Sequence, residues 1–509
     1  FSLDKWDSGF LSEAEADSTA VAYVPLDDRP DNVGRVEYLA ESLGYTLHMP
    51  EEWMYKTLLD GQIEDYYAEN GLEIKSWTGQ SGYPALLSRW VLEQEAAGCD
   101  RYILSMDQLL YGGLVASRLA ETTTEQDGAT LALSDLLESL LSALAADPNN
   151  EVWLLDSVMR LAPTVGYNGG TLEEYNALRA FGAAPRQALS ADQLTLDRIR
   201  ETYDTDAGGK NLLDFGNDSA MYDAAVGYME HRRNKLALSG ELLEAIDRLG
   251  HDRFHVLIGI DDSSSEDCIQ KNEIAYLNAR LREGDVILSG VDDLAFKAVT
   301  KLYLSETEDT RVYPHVFVSY FGGTENQPAC EYDYKPLTEI VDEHIDYFGM
   351  KRVPSAEQAE VQILVLTQPA DEGKKQTYYD ELIRTLNACE KKEQLVILID
   401  AGNGRYGTAF HDALVKKAAL GGFLSYAGFL DMAIVTGTAL SHGAARYAHL
   451  VLGQTSQSEE AAFQKTLADS IIKDFCYKNV VREDILSYVR NDLGGDANNF
   501  CLPELDRPA

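Results

Sequence analysis

The sequence predicts a parallel α/β fold, consisting of a parallel (β/α) barrel or barrel-like catalytic domain and a smaller C-terminal α/β domain. Three observations predict it. The 509 residues exceed one minimal domain. Short apolar runs alternate with longer stretches of helical periodicity, as in parallel α/β proteins. Many of these runs end on an aspartate. With 45% hydrophobic and 25% charged residues, the composition is that of a globular protein.

The apolar runs place the strands, and the periodic stretches between them place the helices. The predicted strands begin at Val21, Tyr45, Arg101, Val152, Phe254, Val286, His315, Gln362, Leu395 and Ala433. The predicted helices include 34–43, 131–145, 239–248, 268–282 and 376–388, and 211–218 is predicted to be a loop. Ten strands are too many for a bare eight-stranded barrel.

A division of the chain near residue 352 accommodates the extra strands. The stretch 350–357 contains Pro354 and Ser355 and has no apolar period, which is typical of a linker. Residues 1–352 would then form the barrel-like domain that carries the aspartate-rich site. Residues 353–509 would form the smaller domain that completes its rim.

Composition narrows the classes of partner and cofactor. Against 84 acidic residues stand 43 basic ones, a net charge of −41, and no large basic cluster is present, so nucleic acid is not an expected partner. No uninterrupted apolar stretch reaches about 18 residues, so no membrane span is expected. The chain begins without methionine, which fits a trimmed chain or a cleaved leader, and both a cytoplasmic and an exported soluble protein stay open. The cysteines and histidines show no zinc-ligand spacing, and no cofactor is predicted.

The residues at which the strands end are the first candidates for chemistry, because ligands of parallel α/β folds bind beyond the carboxyl ends of the strands. Any single aspartate there also fits a turn or a helix N-cap. Several on one rim would raise one another's pKa, as functional sites do. The strand-end carboxylates are Asp27, Asp28, Asp107, Asp156, Asp261, Asp262, Asp292, Asp293 and Asp400.

The most distinctive segment is Pro-Leu-Asp-Asp-Arg-Pro at 25–30. Asp27, Asp28 and Arg29 form a locally compensated set, and Arg29 can bind a carboxylate or phosphate with two hydrogen bonds. A structural Asp-Arg ion pair that closes the first turn is the alternative interpretation.

With this segment the chain resembles a bacterial family, the domain of unknown function 4127, whose members open with the same signature. The resemblance covers most of the chain and implies a shared α/β fold and a shared polar site. The other matching blocks are Asp-Gln-Leu-Leu-Tyr-Gly-Gly-Leu-Val-Ala-Ser-Arg at 107–118, Met159-Arg160, Arg232-Arg233-Asn234 and Ile260-Asp261-Asp262.

The chain departs from the family near its C-terminus. Where the family carries a Tyr-Ala-Gly-Trp-Asn-Thr block, this sequence continues from Tyr426 with Leu430 and Ile434 at two asparagine positions. Contacts made there by other members would be lost, so a changed substrate or a lost activity stays open. Asp431 in this stretch is kept as a substrate-binding candidate.

The pair Asp261-Asp262 is similar to the carboxylate pair on a barrel strand of glycosidases that act on N-acetylhexosamines. In those enzymes one carboxylate orients the acetamido group of the sugar as internal nucleophile, and its neighbour protonates the leaving oxygen, an exception to the two-carboxylate scheme. The likeness here rests on the short segment Ile-Gly-Ile-Asp-Asp at 258–262. An N-cap aspartate before the next helix is the alternative for either residue.

The leading hypothesis is a glycoside hydrolase-like enzyme acting on a glycan, with substrate-assisted cleavage of an N-acetylhexosaminide as one form of it. Asp261 and Asp262 would supply the acid and the polarising carboxylate. Asp28 and Asp293 are alternatives for the base or nucleophile. The residues expected to position substrate are Asp27, Arg29, Asp107, Tyr111, Arg118, Arg160 and Asp431.

Two alternative functions stay open beside this hypothesis. The first is a metal-dependent hydrolase or phosphoryl-transfer enzyme with the same aspartates as Mg²⁺ or Ca²⁺ ligands. The second is a non-catalytic glycan-binding protein. In every case the partner is a carbohydrate or another small polar molecule. Arg118 has an alternative of its own: it follows Tyr111 by seven residues, so a helix would place both on one face, where Arg118 could instead pair with a core carboxylate.

Overall fold

The strands of the chain form two parallel sheets, as seen in a computed structural model that describes residues 11–12, 18–55, 82–126, 129–164, 171–428, 432–453 and 455–492. In chain order the strands are β1 Leu11–Ser12, β2 Thr19–Val24, β3 Tyr45–His48, β4 Arg101–Ser105, β5 Thr123–Gln126, β6 Ala129–Ala132, β7 Glu151–Val158, β8 Phe254–Ile260, β9 Val286–Ser289, β10 His315–Phe321, β11 Lys351–Arg352, β12 Val361–Thr367, β13 Leu395–Ala401, β14 Phe423–Gly428 and β15 Thr455–Ser456.

The chain divides into two compact units. The six-strand unit consists of the described residues of 20–33 and 47–294, and the five-strand unit consists of those of 11–12, 18–19, 34–46 and 295–492. The predicted division at residue 352 differs from these units. It falls inside the five-stranded sheet, where β10 pairs with both β11 and β12.

The six-stranded sheet has the order β3-β2-β4-β7-β8-β9, and the pairings from β2 to β9 are parallel. Its central strands are continuous apolar runs; all eight residues of β7 are buried, as expected for a sheet covered on both faces. Strands β5 and β6 form a separate antiparallel hairpin. The helices of this unit are Pro84–Ala96, the π-helical turn Asp107–Tyr111, Leu114–Ser117, Leu133–Leu144, Leu172–Ala183, Leu196–Tyr203, Ser219–Leu249 and Gln270–Asn278.

The long helix Ser219–Leu249 matters most for the site. It begins at Asp218, whose side chain accepts a hydrogen bond from the backbone N–H of Met221, and it ends at Gly250 in the left-handed conformation. The helix predicted from the sequence, 239–248, covers only part of its second half. Its buried face includes Arg232 and Lys235, both of which form ion pairs close to the ends of the strands.

The five-stranded sheet has the order β11-β10-β12-β13-β14, with parallel pairings throughout. Alternate residues of β12 and β13 point to two separate apolar cores: Ile363 and Ile397 to one, Leu364 and Leu398 to the other. The helices of this unit are Gly34–Glu41, Leu337–Tyr347, Lys375–Lys391, Ala409–Lys417, Met432–Leu452, Gln457–Ser470, the π-helix Ile471–Val481 and Arg482–Asn491, while Leu294–Ser305 begins one residue before the unit.

Nine of the ten predicted strands are present, and the tenth is wrong. The run that begins at Ala433 belongs to the helix Met432–Leu452, and the last strand of the five-stranded sheet is instead β14. This helix is buried on nearly all sides. A buried helix and a buried strand both give an unbroken apolar run, and only length separates them.

The parallel α/β construction is therefore confirmed, whereas a closed eight-stranded barrel is not shown by these sheets of six and five strands. In both sheets the second strand along the chain lies outside the first, and the later strands follow on the other side. That is a doubly wound order. In the six-stranded sheet it places the reversal of strand order between β2 and β4.

Candidate functional site

The carboxyl ends of five neighbouring parallel strands bring the predicted residues to one edge of the six-stranded sheet. Strand β2 leads to Asp27, β4 to Asp107, β7 to Arg160, β8 to Asp261 and β9 to Asp292. In doubly wound sheets ligands bind in the crevice at this edge. The edge is therefore the candidate functional site of the six-strand unit.

The first ion-pair group centres on Arg29. Its Nε donates to Asp27 Oδ2 at 2.8 Å, and its Nη1 and Nη2 both donate to the carboxylate of Asp292, Nη1 at 3.2 Å. Asn32 also donates to Asp27, at 2.8 Å. Burial alone would lower the pKa of Arg29, but the carboxylates of Asp27 and Asp292 raise it well above its usual range. Arg29 is thus a fixed cation.

The Arg29–Asp292 pair joins the ends of two strands that are not neighbours. Strands β2 and β9 are four positions apart in the sheet order, which corresponds to about 19 Å in a flat sheet at about 4.8 Å per strand. Both residues lie beyond their strands, since β2 ends at Val24 and β9 at Ser289, so the loops after the two strands help to close that gap. The pair therefore spans the edge of the sheet on which the other candidate residues lie.

The second group holds Asp261 as an anion. Arg118 donates to Asp261 Oδ2 from Nε at 3.1 Å and from Nη2 at 2.8 Å, and the backbone N–H of Asp262 donates to the other oxygen at 2.9 Å. The Asp261 side chain is only 4% exposed. Burial would raise the pKa of Asp261, but Arg118 and then Arg160 lower it below its ordinary value. Asp261 stays ionised, with its oxygens occupied by these donors.

Asp262, the next residue, has the opposite character. Its side chain is 25% exposed and, among the described residues, accepts a single long hydrogen bond, 3.3 Å, from Nη1 of Arg160. Burial and the neighbouring charge of Asp261 raise the pKa of Asp262, Arg160 and Arg118 oppose the increase, and Asp292 adds to it. Two adjacent carboxyls are therefore driven apart in pKa by their surroundings.

Arg160 is held by the chain that follows it. Its Nε donates to the carbonyl of Ala162 at 2.7 Å and its Nη2 to that of Pro163 at 2.9 Å. The guanidinium lies 5.5 Å from the ring centre of Tyr175. Burial and the charge of Arg118 lower the pKa of Arg160. Its position relative to Asp262 is therefore set by contacts that do not depend on Asp262.

A buried ion pair under the site holds the end of β7. Arg232 donates to Glu273 from Nε at 2.8 Å and from Nη2 at 2.6 Å, and it also donates to the carbonyls of Met159 and Arg160. Tyr203 donates to the same carboxylate at 2.6 Å. The backbone at Arg160 is thus anchored to the long helix.

A separate buried group lies at the ends of β4 and β7. Lys235 forms ion pairs with Asp107 and, at 3.3 Å, with Asp156, and its ammonium lies 5.1 Å from the ring centre of Tyr111. Burial raises the pKa of Asp107; Lys235 opposes this and Asp156 adds to it. All three charged side chains are at most 3% exposed. This group therefore links the two strand ends to the long helix inside the protein, and the substrate-binding roles of Asp107 and Tyr111 stay predictions.

The remaining predicted site residues are Asp28, Asp293 and Asp431. Asp28 is half-buried, whereas Asp293, the other candidate base or nucleophile, is fully buried. Asp431 lies outside the described residues.

The predicted common helix of Tyr111 and Arg118 is wrong. Gly112 and Gly113 have φ values of 85° and 124°, so the turn Asp107–Tyr111 ends there and a new helix starts at Leu114. Left-handed backbone is open to glycine and ends a helix. The alternative given for Arg118, pairing with a carboxylate, is the one the structure has.

Some residues of the site have no clear signal in the sequence. The sequence shows that Asp292 follows the end of a strand, but it gives no sign of the role that Asp292 has in the site. Lys235 and Glu273 lie in helices, away from the strand ends that mark the other candidates. For Lys235 one signal exists: it follows Arg232 by three residues, so both lie on one helix face.

Metal-ligand clusters and membrane-spanning helices are both missing from the described part of the chain. Among these residues, no group of three or more His, Cys, Asp or Glu side chains is arranged to hold a metal ion. Within the same ranges, no helix combines the length and apolar character needed to cross a bilayer.

In a comparison with known families, the chain matches the family described as "Protein of unknown function (DUF4127)" over residues 71–505. The chain belongs to the DUF4127 family. No curated protein and no solved structure matches it. The matched range includes Arg118, Arg160, Asp261, Asp262 and Asp292, so most of the site lies inside the DUF4127 region. The segment 25–30 lies before this range, so the match does not test it as a family signature.

Proposed function

We propose that this DUF4127 protein is a glycoside hydrolase-like enzyme in which Asp262 is the general acid. One observation carries the proposal: Asp261 is buried and accepts hydrogen bonds on both oxygens, whereas the adjacent Asp262 is 25% exposed and accepts one long hydrogen bond from Arg160. These surroundings shift the pKa values of the two carboxyls in opposite directions. Pairs of titratable groups whose surroundings separate their pKa values are the usual sign of divided acid and base roles. The acid must also reach the substrate, and Asp262 is the more exposed of the two.

Asp261 acts in this proposal through its charge. Because its oxygens already accept from Arg118 and from the backbone of Asp262, it keeps its negative charge and holds the proton on Asp262. The second group of the reaction is then either another carboxylate at this edge or the acetamido group of the substrate. Asp292, 19% exposed and held by Arg29, is the carboxylate that the geometry favours over the buried Asp293.

A sugar substrate suits this edge of the sheet whether or not the sheet curls toward a barrel, because ligands bind beyond the carboxyl strand ends in both architectures. The arginine–carboxylate pairs also favour acid–base chemistry over a cation site. Each of Asp27, Asp261 and Asp292 already accepts from a guanidinium.

The test is hydrolysis of a panel of aryl glycosides, N-acetylhexosaminides included, by wild type and Asp262→Asn, with and without chelator. General acid catalysis contributes about 10²- to 10⁴-fold, so Asp262→Asn should lose about that much in kcat/KM on a nitrophenyl glycoside. On a dinitrophenyl glycoside, whose leaving group needs no proton, the loss should be much smaller. Asp252→Asn, an exposed aspartate just before β8, is the matched control and should behave as wild type.

Other outcomes separate the alternatives. Loss of hydrolysis with chelator alone would favour the metal-dependent enzyme. Saturable sugar binding without hydrolysis would favour the glycan-binding protein. Inhibition by a thiazoline derived from N-acetylglucosamine would indicate substrate assistance, and its absence in an active enzyme would favour Asp292 as the second group. Equal loss on both leaving groups would refute the acid role of Asp262.

A further inference from the structure

The last two helices of the five-strand unit present a stripe of apolar side chains to solvent. Nine large apolar side chains among the described residues are exposed, and five of them lie on the π-helix Ile471–Val481 and on the helix Arg482–Asn491 that continues it. These five are between 42% and 60% exposed. Contiguous apolar surface of this kind is typical of a site of protein interaction. The residues of the stripe are Ile472, Tyr477, Val481, Ile485 and Tyr488.

The spacing of the five residues places them on one face. The first interval is five residues and lies in the π-helix, whose hydrogen bonds join residues five apart. The later intervals are four, four and three residues, about one α-helical turn each. The stripe therefore continues from the π-helix into the α-helix without a break.

The opposite face of the same two helices is fixed to the five-strand unit. The ring of Phe475 stacks on that of His411, with the ring centres 3.5 Å apart. Asp474 Oδ2 accepts a hydrogen bond from the backbone N–H of Gly428 at 3.1 Å, and Leu486 is buried. Because these contacts hold the inner face, the stripe faces away from the unit.

The charges along the helices indicate which partner fits the stripe. Residues 471–482 contain three basic side chains and one acidic side chain, and residues 483–492 contain one basic and three acidic side chains. The two halves therefore carry net charges of +2 and −2, in a chain whose net charge is −41. A second copy in antiparallel orientation brings each half opposite the half of opposite sign, whereas a parallel copy would bring like charges together.

A two-fold axis at Val481 also matches individual side chains across the contact. In antiparallel helices, residues equally far from the axis on its two sides face each other, so Tyr477 of each copy lies opposite Ile485 of the other. Lys478 then lies opposite Asp484, which is exposed. Lys478 Nζ is 3.9 Å from Asp474 in its own helix, and the Lys478 side chain is 22% exposed. Apolar pairs therefore fill the centre of the contact, and an ion pair lies on each side of it.

We propose that the stripe is the interface of a homodimer, in which helices 471–491 of two copies pack antiparallel with Val481 at the two-fold axis. A two-fold axis is the commonest symmetry of homo-oligomers, and it requires a surface that is complementary to itself. A stretch whose positive and negative charges cancel gains no electrostatic attraction to an anionic membrane, so a second copy is the better partner. The interface is independent of the sugar chemistry proposed above.

The first test is the oligomeric state of the full chain, measured by sedimentation in the micromolar range. Wild type should have twice the mass of one chain. Val481→Asp places two carboxylates opposite each other at the axis and should weaken dimerisation about tenfold or more. Val415→Asp changes an exposed valine of the same unit outside the stripe, and this matched control should dimerise as wild type. A monomeric wild type, or a Val481→Asp variant that dimerises equally well, would overturn the proposal.

The second test identifies the partner as an antiparallel copy. Lys478→Glu and Asp484→Lys each create two like-charge contacts in a homodimer, so each variant alone should dimerise about tenfold more weakly than wild type. An equimolar mixture of the two variants should regain dimerisation, because each new charge then faces an opposite charge on the other chain. No gain on mixing would refute the antiparallel arrangement.

A cross-linking test locates the axis. In a chain that carries Cys476→Ser and Cys501→Ser, Val481→Cys should form a disulfide between two copies on mild oxidation, because a residue at a two-fold axis meets its own copy. Val415→Cys in the same background is the control and should stay uncross-linked. Equal cross-linking by the two variants would overturn the placement of the axis at Val481.

Discussion

Asp400, the aspartate near the end of β13, gives a stability prediction that can be worked out from the structure. Its carboxyl accepts a hydrogen bond from the backbone N–H of Gly402 at 3.1 Å and one from the hydroxyl of Tyr426. Burial raises the pKa of Asp400 to about 6, and the charge of Asp474 adds to the increase. His411 Nε2 lies 3.5 Å from the carboxyl. Burial lowers the pKa of His411 to about 3, so the imidazole is neutral near pH 7 and forms no ion pair.

The sign follows from the two pKa values. In the unfolded chain the carboxyl has the ordinary pKa of 3.8, so between about pH 4 and 6 the unfolded state loses the proton that the folded state keeps. The contribution of Asp400 to the free energy of unfolding therefore falls as pH rises through this range. A difference of about 2 pKa units corresponds to about 3 kcal/mol of destabilisation, which is absent below pH 4 and complete above pH 6.

Asp400→Asn removes the titration and keeps the shape of the side chain. An amide has one acceptor oxygen instead of two, so we subtract about 1 kcal/mol for a lost hydrogen bond. At pH 8 the variant avoids the destabilisation of about 3 kcal/mol and loses about 1 kcal/mol with the hydrogen bond. It should therefore be more stable than wild type by about 2 kcal/mol. At pH 4 it should be less stable by about 1 kcal/mol, because only the lost hydrogen bond remains.

The measurement is urea unfolding followed by circular dichroism at pH 4, 6 and 8. Asp412→Asn changes an exposed aspartate next to His411 and serves as the control; its stability difference should not vary in this way. A difference between Asp400→Asn and wild type that stays constant with pH would refute the reasoning. If the free energy of unfolding of wild type instead rose relative to that of the variant as pH rises, Asp400 would be ionised and paired with a protonated His411.

Two further predictions concern buried contacts. Arg118→Met should lower the free energy of unfolding by about 3–5 kcal/mol, because it leaves Asp261 as an uncompensated buried charge; Arg118→Met/Asp261→Leu should recover most of that loss in urea unfolding. Gly443→Ala should cost about 1–3 kcal/mol, since its Cβ would lie 2.5 Å from Cγ1 of Ile397. Ile397→Ala in the same chain should relieve the clash, so measured losses that simply add would contradict this explanation.

The position of the site was predictable because it depends on local sequence. Each parallel strand is an apolar run, and the residue at which the run stops is at the carboxyl edge by construction. Asp27, Asp107 and Asp261 could therefore be placed on one edge from the sequence alone. The same reasoning failed at Ala433, where the apolar run was a buried helix.

The partners of those residues could not be predicted, because they come from distant parts of the chain. Arg118 and Asp261 are 143 residues apart, and Arg29 and Asp292 are 263 apart. Nothing in the sequence around Asp261 distinguishes it from Asp262. Their different roles in the proposal arise because Arg118 reaches one and Arg160 approaches the other.

These arginines also explain why this edge differs from an ordinary acidic surface. In a chain with a net charge of −41, carboxylates gathered without cations would all rise in pKa together and would share no defined proton. Here Arg118 holds Asp261 ionised, while Asp262 accepts one long hydrogen bond from Arg160 and rises in pKa. The general acid of the proposed reaction is thus selected by the placement of positive charge. Removing one of these charges, for example with Arg160→Met, should raise the pKa of Asp262 further. The alkaline limb of the plot of activity against pH should then shift to higher pH.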